Sequence, residues 1–120
     1  MKKILIVDDE PNIIMSLEYT FKKNNFEVFI ARDGQEALDL LENQLPDLII
    51  LDIMMPMVDG YATLEQIKKN KSLENCKVIF LTAKNKEKDI EKGLSLGANL
   101  YMLKPFSIKK LVEQVQFLLN

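Results

Sequence analysis

Short apolar runs and helical periodicities alternate along the whole chain. The runs lie at residues 3–7, 26–31, 48–52, 77–82 and 99–104, and each has the length of a strand. Asn12 to Lys23 places Ile13, Leu17, Thr20 and Phe21 on one helical face, with Ile14 beside them. Asp33-Gly34-Gln35-Glu36 has capping-box spacing and opens a second helix bearing Ala37, Leu38 and Leu41. Leu64 and Ile67 mark a third, shorter helix, and Ile90 and Leu94 a fourth, stopped by Gly97. Ser107 caps the last, whose apolar stripe is Ile108, Leu111, Val112, Val115, Leu118 and Leu119. Five strands alternating with five helices predict an α/β fold, a doubly wound parallel sheet covered on both faces. No linker, low-complexity tract or repeat interrupts the alternation, so residues 1–120 are expected to form a single domain.

In such sheets ligands bind beyond the carboxyl ends of the strands. That rim is where this chain puts its unusual polar residues. Asp52 ends the apolar run Leu48-Ile49-Ile50-Leu51, and Asp8-Asp9-Glu10 follows Ile4-Leu5-Ile6-Val7. A carboxylate at the mouth of a hydrophobic strand is costly unless pairing or chemistry keeps it there. Two strand ends deliver Asp8, Asp9 and Asp52 to one place, and like charges that close require a bound cation, a compensating lysine, or both. The fifth strand supplies the lysine in Tyr101-Met102-Leu103-Lys104-Pro105, and the fourth ends on Thr82. Thr82 alone would be an ordinary strand-end residue. Asp8 could also cap the first helix ahead of Pro11, a role compatible with metal binding, which the pattern favours. Polar residues from four strands converging on one rim are the stronger signal.

Composition narrows the chemistry. The chain has no histidine, which removes His-based metal sites and any Ser-His or Cys-His pair within it. Its formal net charge of −2 gives no field favouring nucleic acid, so no direct nucleic-acid binding is expected. The single Cys76 has no intrachain disulfide partner, which fits a reducing, cytoplasmic setting. No apolar run approaches membrane-spanning length, so no membrane association is expected. The basic-then-apolar start, Met-Lys-Lys-Ile-Leu-Ile-Val, meets Asp8 too early for a signal peptide.

Several motifs together resemble the receiver domain of two-component response regulators, the CheY-like family. They are Val7-Asp8-Asp9-Glu10, Leu51-Asp52-Ile53-Met54-Met55-Pro56 with Asp59-Gly60, Leu81-Thr82-Ala83, and Gly97-Ala98 leading to Tyr101-Met102-Leu103-Lys104-Pro105-Phe106. The resemblance spans essentially the whole chain and implies a flavodoxin-like (βα)5 fold with strand order 2-1-3-4-5. It implies that Asp52 is the phosphoacceptor, forming an aspartyl phosphate with a phosphoryl group from a sensor histidine kinase, a phosphotransfer protein or a small acyl phosphate. Mg²⁺ is the implied cofactor, with Asp9, Asp52 and the Met54 backbone carbonyl as direct ligands and Asp8 acting through a coordinated water. Thr82, the Ala83 backbone N–H and Lys104 would bind phosphoryl oxygens. The domain would assist its own phosphorylation without being an enzyme in its own right. The Lys104-Pro105 bond is often cis in the family.

The resemblance also implies a switch in which the Thr82 hydroxyl moves to the phosphate and Tyr101 turns inward, changing the face made by the fourth helix, fifth strand and fifth helix. Periodicity alone adds Phe117, which at about 100° per residue lies opposite the stripe of the last helix and should face solvent. If it adjoins Tyr101, the two form a patch suited to a partner or a second copy of the domain. Receivers that dimerise through charge pairs on this face usually carry acidic residues where this chain has Asn99-Leu100, so any self-contact here is expected to be more apolar. Three other functions fit less well. A phosphate-independent receiver-like module need not keep the full polar set. A haloacid-dehalogenase-type phosphatase needs a carboxylate where Met54 stands. A flavodoxin-like FMN site would be repelled by Asp8-Asp9-Glu10 after the first strand.

Overall fold

The computed structural model describes residues 1–120. Strands β1 (Lys3–Val7), β2 (Glu27–Ala31), β3 (Leu48–Leu51), β4 (Lys77–Thr82) and β5 (Leu100–Leu103) alternate with helices α1 (Pro11–Lys23), α2 (Gly34–Leu40), α3 (Gly60–Lys69), α4 (Glu87–Ser95) and α5 (Ile108–Leu119). A short 3₁₀ turn at Lys71–Leu73, absent from the hydrophobic pattern, precedes β4. The strands form one parallel sheet in the order β2-β1-β3-β4-β5, with Ile4 opposite Leu48 and Leu48 opposite Lys77.

Because side chains alternate across a strand, the sheet builds two cores. Leu5, Val7, Ile49, Leu51, Val78 and Phe80 face α2 and α3, where they meet Ala37, Leu64 and Ile67. Ile4, Ile6, Leu48, Ile50, Ile79 and Leu81 face α1 and α5, where they meet Leu17, Phe21, Leu111 and Val115. Burial on both faces explains why the central strands read as unbroken apolar runs.

Local signals set the helix starts. Asp33 accepts a hydrogen bond from the Glu36 N–H at 2.8 Å, and Ser107 accepts one from the Lys110 N–H at 3.2 Å. Asp59 caps α3 in the same way, accepting from the Ala62 N–H at 2.9 Å. Gly97 ends α4 with a φ of +108°, a conformation that favours glycine.

Two helices differ from their periodicity. In α4 the buried residue is Gly93, while Leu94, expected on the core face, is 46% exposed. A glycine lets the helix backbone lie close on the aromatic side chains beneath it, and that contact rotates Leu94 outward. In α5 the fully buried positions are Leu111 and Val115, and Ile108 at the helix start is 38% exposed. Phe117 faces solvent as expected, at 75% exposure.

Candidate functional site

The parallel ladder places the candidate residues. The Asp8 N–H donates to the Ala31 carbonyl, the Asp52 N–H to the Val7 carbonyl and the Lys104 N–H to the Thr82 carbonyl, so each residue continues the ladder one step past its strand. Asp8 and Asp52 are 2% and 4% exposed, at the mouth of a sheet that excludes water. The Lys104-Pro105 peptide is cis. The Lys104 ammonium donates to Asp8 Oδ2 at 2.9 Å, Glu10 Oε1 at 2.9 Å and Asp52 Oδ2 at 3.4 Å. Around it, Asp8 Oδ1 accepts from the Glu10 N–H at 3.0 Å, and Asp52 Oδ1 accepts from the Met54 N–H at 3.3 Å. Each buried carboxylate therefore has one oxygen on the backbone and one on the lysine.

Asp9 does not join this cluster. The carboxylates that come within 4.8 Å of one another belong to Asp8, Glu10 and Asp52, whereas Asp9 is exposed. The Asp8 hydrogen bond to the Glu10 N–H folds the chain so that Glu10 returns to Lys104 and the intervening Asp9 points away. Alternation after a strand end is the signal for this, since residues 8 and 10 share a face and residue 9 does not.

Three carboxylates contact one ammonium, leaving two negative charges unbalanced. The titration tendencies follow. Burial works against the Lys104 charge, but hydrogen bonds to Asp8 and Glu10 and the field of Asp52 outweigh it, so the lysine is held above its ordinary value. Asp8 is also raised, because burial dominates the hydrogen bonds from Lys104 and Glu10, and Asp52 adds repulsion. The two partners value their contact differently for a physical reason. Lys104 collects three favourable fields, whereas Asp8 shares one lysine with two competitors. The site is thus electrostatically short of positive charge, and its oxygen donors are those a hard divalent cation takes.

Thr82 is fully buried, and its hydroxyl accepts from the Lys84 N–H at 3.4 Å. Ala83 lies exposed beside it on the rim. The Lys84 carbonyl in turn accepts from the Tyr101 hydroxyl at 2.8 Å. Tyr101 is half-buried, its ring 5.8 Å from that of Phe80. Tyr61 of α3 packs on Phe80 as well, also at 5.8 Å, and its hydroxyl donates to the Asp89 carbonyl in α4 at 3.0 Å. The sequence pattern marked Thr82, Ala83 and Tyr101 but neither Glu10 nor Tyr61. Tyr61 stands directly after the Asp59-Gly60 helix start, a position that gives no hint of a partner 28 residues away.

A family model for the response regulator receiver domain matches residues 4–116. The chain belongs to that family. Among curated relatives, it is 42% identical over 119 residues to the alkaline phosphatase synthesis transcriptional regulatory protein PhoP of Bacillus subtilis (strain 168). That match covers 99% of this chain and 49% of the relative, so the chain spans about half the length of the curated relative it matches. Among solved structures, the receiver domain of a Francisella response regulator superposes with a TM-score of 0.91 at 34% identity, covering 99% of this chain and 97% of the other. The chemotaxis response regulator CheY4 of Vibrio cholerae gives 0.92 at 28% identity, covering 98% of both chains. A CheY-like receiver from Methanospirillum hungatei gives 0.93 at 31% identity, covering 99% of this chain and 94% of that one. The receiver fold expected from the motifs, including the strand order, is the fold observed. The chain is a receiver domain of the response regulators.

Proposed function

We propose that this receiver domain is a phosphorylation switch whose phosphoacceptor is Asp52. The observation that carries the reading is the buried Asp52 carboxylate at a strand end, held by a backbone N–H on one oxygen and by Lys104 on the other. A fixed, desolvated carboxylate is a competent nucleophile when an opposing cation steadies the incoming charge. One carboxylate oxygen forms the new P–O bond as the P–N bond of a phosphohistidine breaks, and the electron pair leaves on the donor imidazole. The donor is a sensor histidine kinase or phosphotransfer protein; a small acyl phosphate serves equally, with P–O cleavage. This is self-assisted acceptance of a phosphoryl group, and the domain is not an enzyme acting on a separate substrate.

Mg²⁺ fits the oxygen-rich, charge-deficient site. Asp8, Asp52 and the Met54 backbone carbonyl are the residues that would hold it, with Glu10 on the same lysine as a further carboxylate, and Asp9 would join them only by turning inward from its exposed position. When bound, the ion offsets the repulsion between the acceptor carboxylate and the phosphoryl oxygens. Lys104 is already aimed at Asp52 and can transfer its ammonium from carboxylate to phosphoryl oxygen. Thr82 Oγ1 and the Ala83 N–H supply further donors beside it. Movement of Thr82 would disturb the Lys84 N–H that it now accepts, and through the Lys84 carbonyl would reach Tyr101. The output is therefore a change in the face formed by α4, β5 and α5, where Phe117 offers an apolar contact to a partner or a second copy. No helix is long and apolar enough to cross a membrane, and we place the domain in the cytoplasm, where its phosphoryl donors would be. Nothing in its charge favours direct binding to nucleic acid.

Intact mass after incubation with acetyl phosphate and Mg²⁺ tests the reading. The parent should gain one phosphoryl group and Asp52→Asn none. An equal gain in Asp52→Asn would overturn the assignment.

A further inference from the structure

Helix α4 has little of its own to hold it in place. It is nine residues long, carries Gly93 in its interior, and its N-cap residue Lys86 makes no side-chain cap. Isolated helices of that length are marginal, and an interior glycine weakens them further. Its only buried residue is that glycine, so hydrophobic anchoring is also slight.

What fixes α4 is a pair of tyrosines reaching it from different elements. Tyr101 of β5 holds the Lys84 carbonyl just ahead of the helix. Tyr61 of α3 holds the Asp89 carbonyl in its first turn. The Lys92 ammonium sits 4.4 Å from the Tyr61 ring centroid, so the same side chain also contacts the next turn. Both tyrosine rings pack on Phe80, their hydroxyls near each other, and Gly93 lies on Phe80 and Tyr101 closely enough that an added Cβ would come within 2.9–3.0 Å of them.

The two tyrosines connect α4 to the phosphoacceptor by different routes. One runs from Thr82 through Lys84 to Tyr101. The other begins at Gly60, which lies against the backbone of Asp52 so tightly that a Cβ there would collide with the Asp52 carbonyl oxygen. The Gly60 N–H also donates to the Ile53 carbonyl at 3.0 Å. Tyr61 is the next residue. A shift in the Asp52 loop is therefore passed to the start of α3 and, through the Tyr61 hydroxyl, to α4.

We propose that Tyr61 is a positioning residue of the switch, and that its hydroxyl bond to Asp89 gives α4 a second connection to the phosphoacceptor loop. The partner-facing helix then answers to two sensors, Thr82 and the Asp52–Gly60 contact. The link to phosphorylation rests on the role proposed for Asp52, but the tether itself does not.

Tyr61→Phe removes the hydroxyl and keeps the ring between Phe80 and Lys92. Backbone hydrogen exchange should be compared in parent, Tyr61→Phe, Tyr101→Phe and the variant carrying both substitutions, each without and with beryllofluoride plus Mg²⁺. In the ligand-free protein, Tyr61→Phe should speed exchange in Glu87–Ser95 by about five-fold, the factor carried by one hydrogen bond, with β1 and β3 unchanged. With beryllofluoride, the ligand-dependent change in α4 should shrink in either single variant and vanish in the double variant. Unchanged α4 exchange in Tyr61→Phe would overturn the tether. A rise spread equally over α4 and the sheet would also overturn it, by making Tyr61 a plain core residue. If α4 loosened but its response to beryllofluoride stayed at the parent level, the second connection would be disproved. If the parent showed no response at all, the fault would lie with Asp52 as acceptor, and the connection proposed here would fall with it while the ligand-free tether stood.

Discussion

Strands β3 and β5 are each four residues long, and each delivers one residue to the rim, yet their surroundings differ sharply. Every residue of β3 is buried, and none of β5 is fully buried. β3 lies between β1 and β4 with helices over both faces, while β5 is an edge strand. Asp52 thus stands on the most constrained part of the sheet. Lys104 and Tyr101 stand on the least constrained part, next to a helix held by a glycine and two hydroxyl groups. A fixed carboxylate suits a nucleophile that must meet an incoming phosphorus in one geometry. A loosely packed edge suits residues that must move, because local opening costs least where few apolar contacts are lost. The contrast can be broken or sharpened by substitution.

The largest effect should come from Lys104→Met, which removes the ammonium that Asp8 and Asp52 share and leaves both buried without one. Removing one partner of a buried ion pair costs about 3 kcal/mol or more, equivalent to roughly 10 °C in Tm for a domain this size. The sign with pH is fixed by the raised lysine. The stabilisation is fully present below the ordinary lysine value of 10.5 and is lost as pH rises through the higher folded value. Thermal denaturation from pH 7 to 11 should therefore show a constant advantage of the parent up to about pH 10, with only the start of its decline by pH 11.

Gly93→Ala comes next and tests the edge. Added helix propensity is worth about 1 kcal/mol. The new methyl would meet the Tyr101 and Phe80 rings, and overpacking of that kind costs about 1–3 kcal/mol. We expect a net loss of about 1 kcal/mol in chemical denaturation, by the difference of those two terms. Accompanying loss of the Tyr101 bond to Lys84 should show as altered tyrosine ultraviolet difference spectra. A stabilised variant would mean that α4 moves aside freely.

Asp8→Asn probes the constrained end and should act in the opposite direction. Burial raises the Asp8 folded pKa, so its ionised form costs stability in full above that raised value, and the cost fades as pH falls from there towards the ordinary carboxylate value of 3.8. Without divalent cation, Asn should raise Tm at pH 7 by a few degrees, about 1 kcal/mol or less, and the gain should disappear near pH 3. Millimolar Mg²⁺ should stabilise the parent more than the variant. A destabilised variant at pH 7 would show that the hydrogen bond to the Glu10 N–H outweighs the repulsion.

The smallest effect belongs to Phe117→Ala. A solvent-facing ring should change stability by less than about 0.5 kcal/mol. Any larger consequence should appear only in self-association or partner binding after phosphorylation, measured by sedimentation.

The alternation of full-burial runs with capped amphipathic segments was legible along the chain, because strand length, capping and the stop at Gly97 are local properties of neighbouring residues. The strand order followed from the resemblance to receivers, and the rim residues followed from the rule that strand ends converge. Asp8, Asp52, Thr82 and Lys104 were therefore found where they were expected. The replacement of Asp9 by Glu10 around the ammonium was not, although alternation past the end of β1 contained the clue. The inward turn of Gly93 in place of Leu94 could not be read from periodicity. A hydrophobic pattern ranks residues by their own preference for burial, and a glycine ranks low. It is the bulk of Phe80 and Tyr101, arriving from two other strands, that makes the residue without a side chain the one that fits. The same holds for Tyr61, whose ring has an ordinary place in a helix core. The acceptor for its hydroxyl lies on a helix that only the folded chain brings within 3.0 Å. Local chemistry thus determined which elements form and which end of the sheet is charged, whereas distances between side chains far apart in sequence decided which of them share a proton, a ring face or a cation.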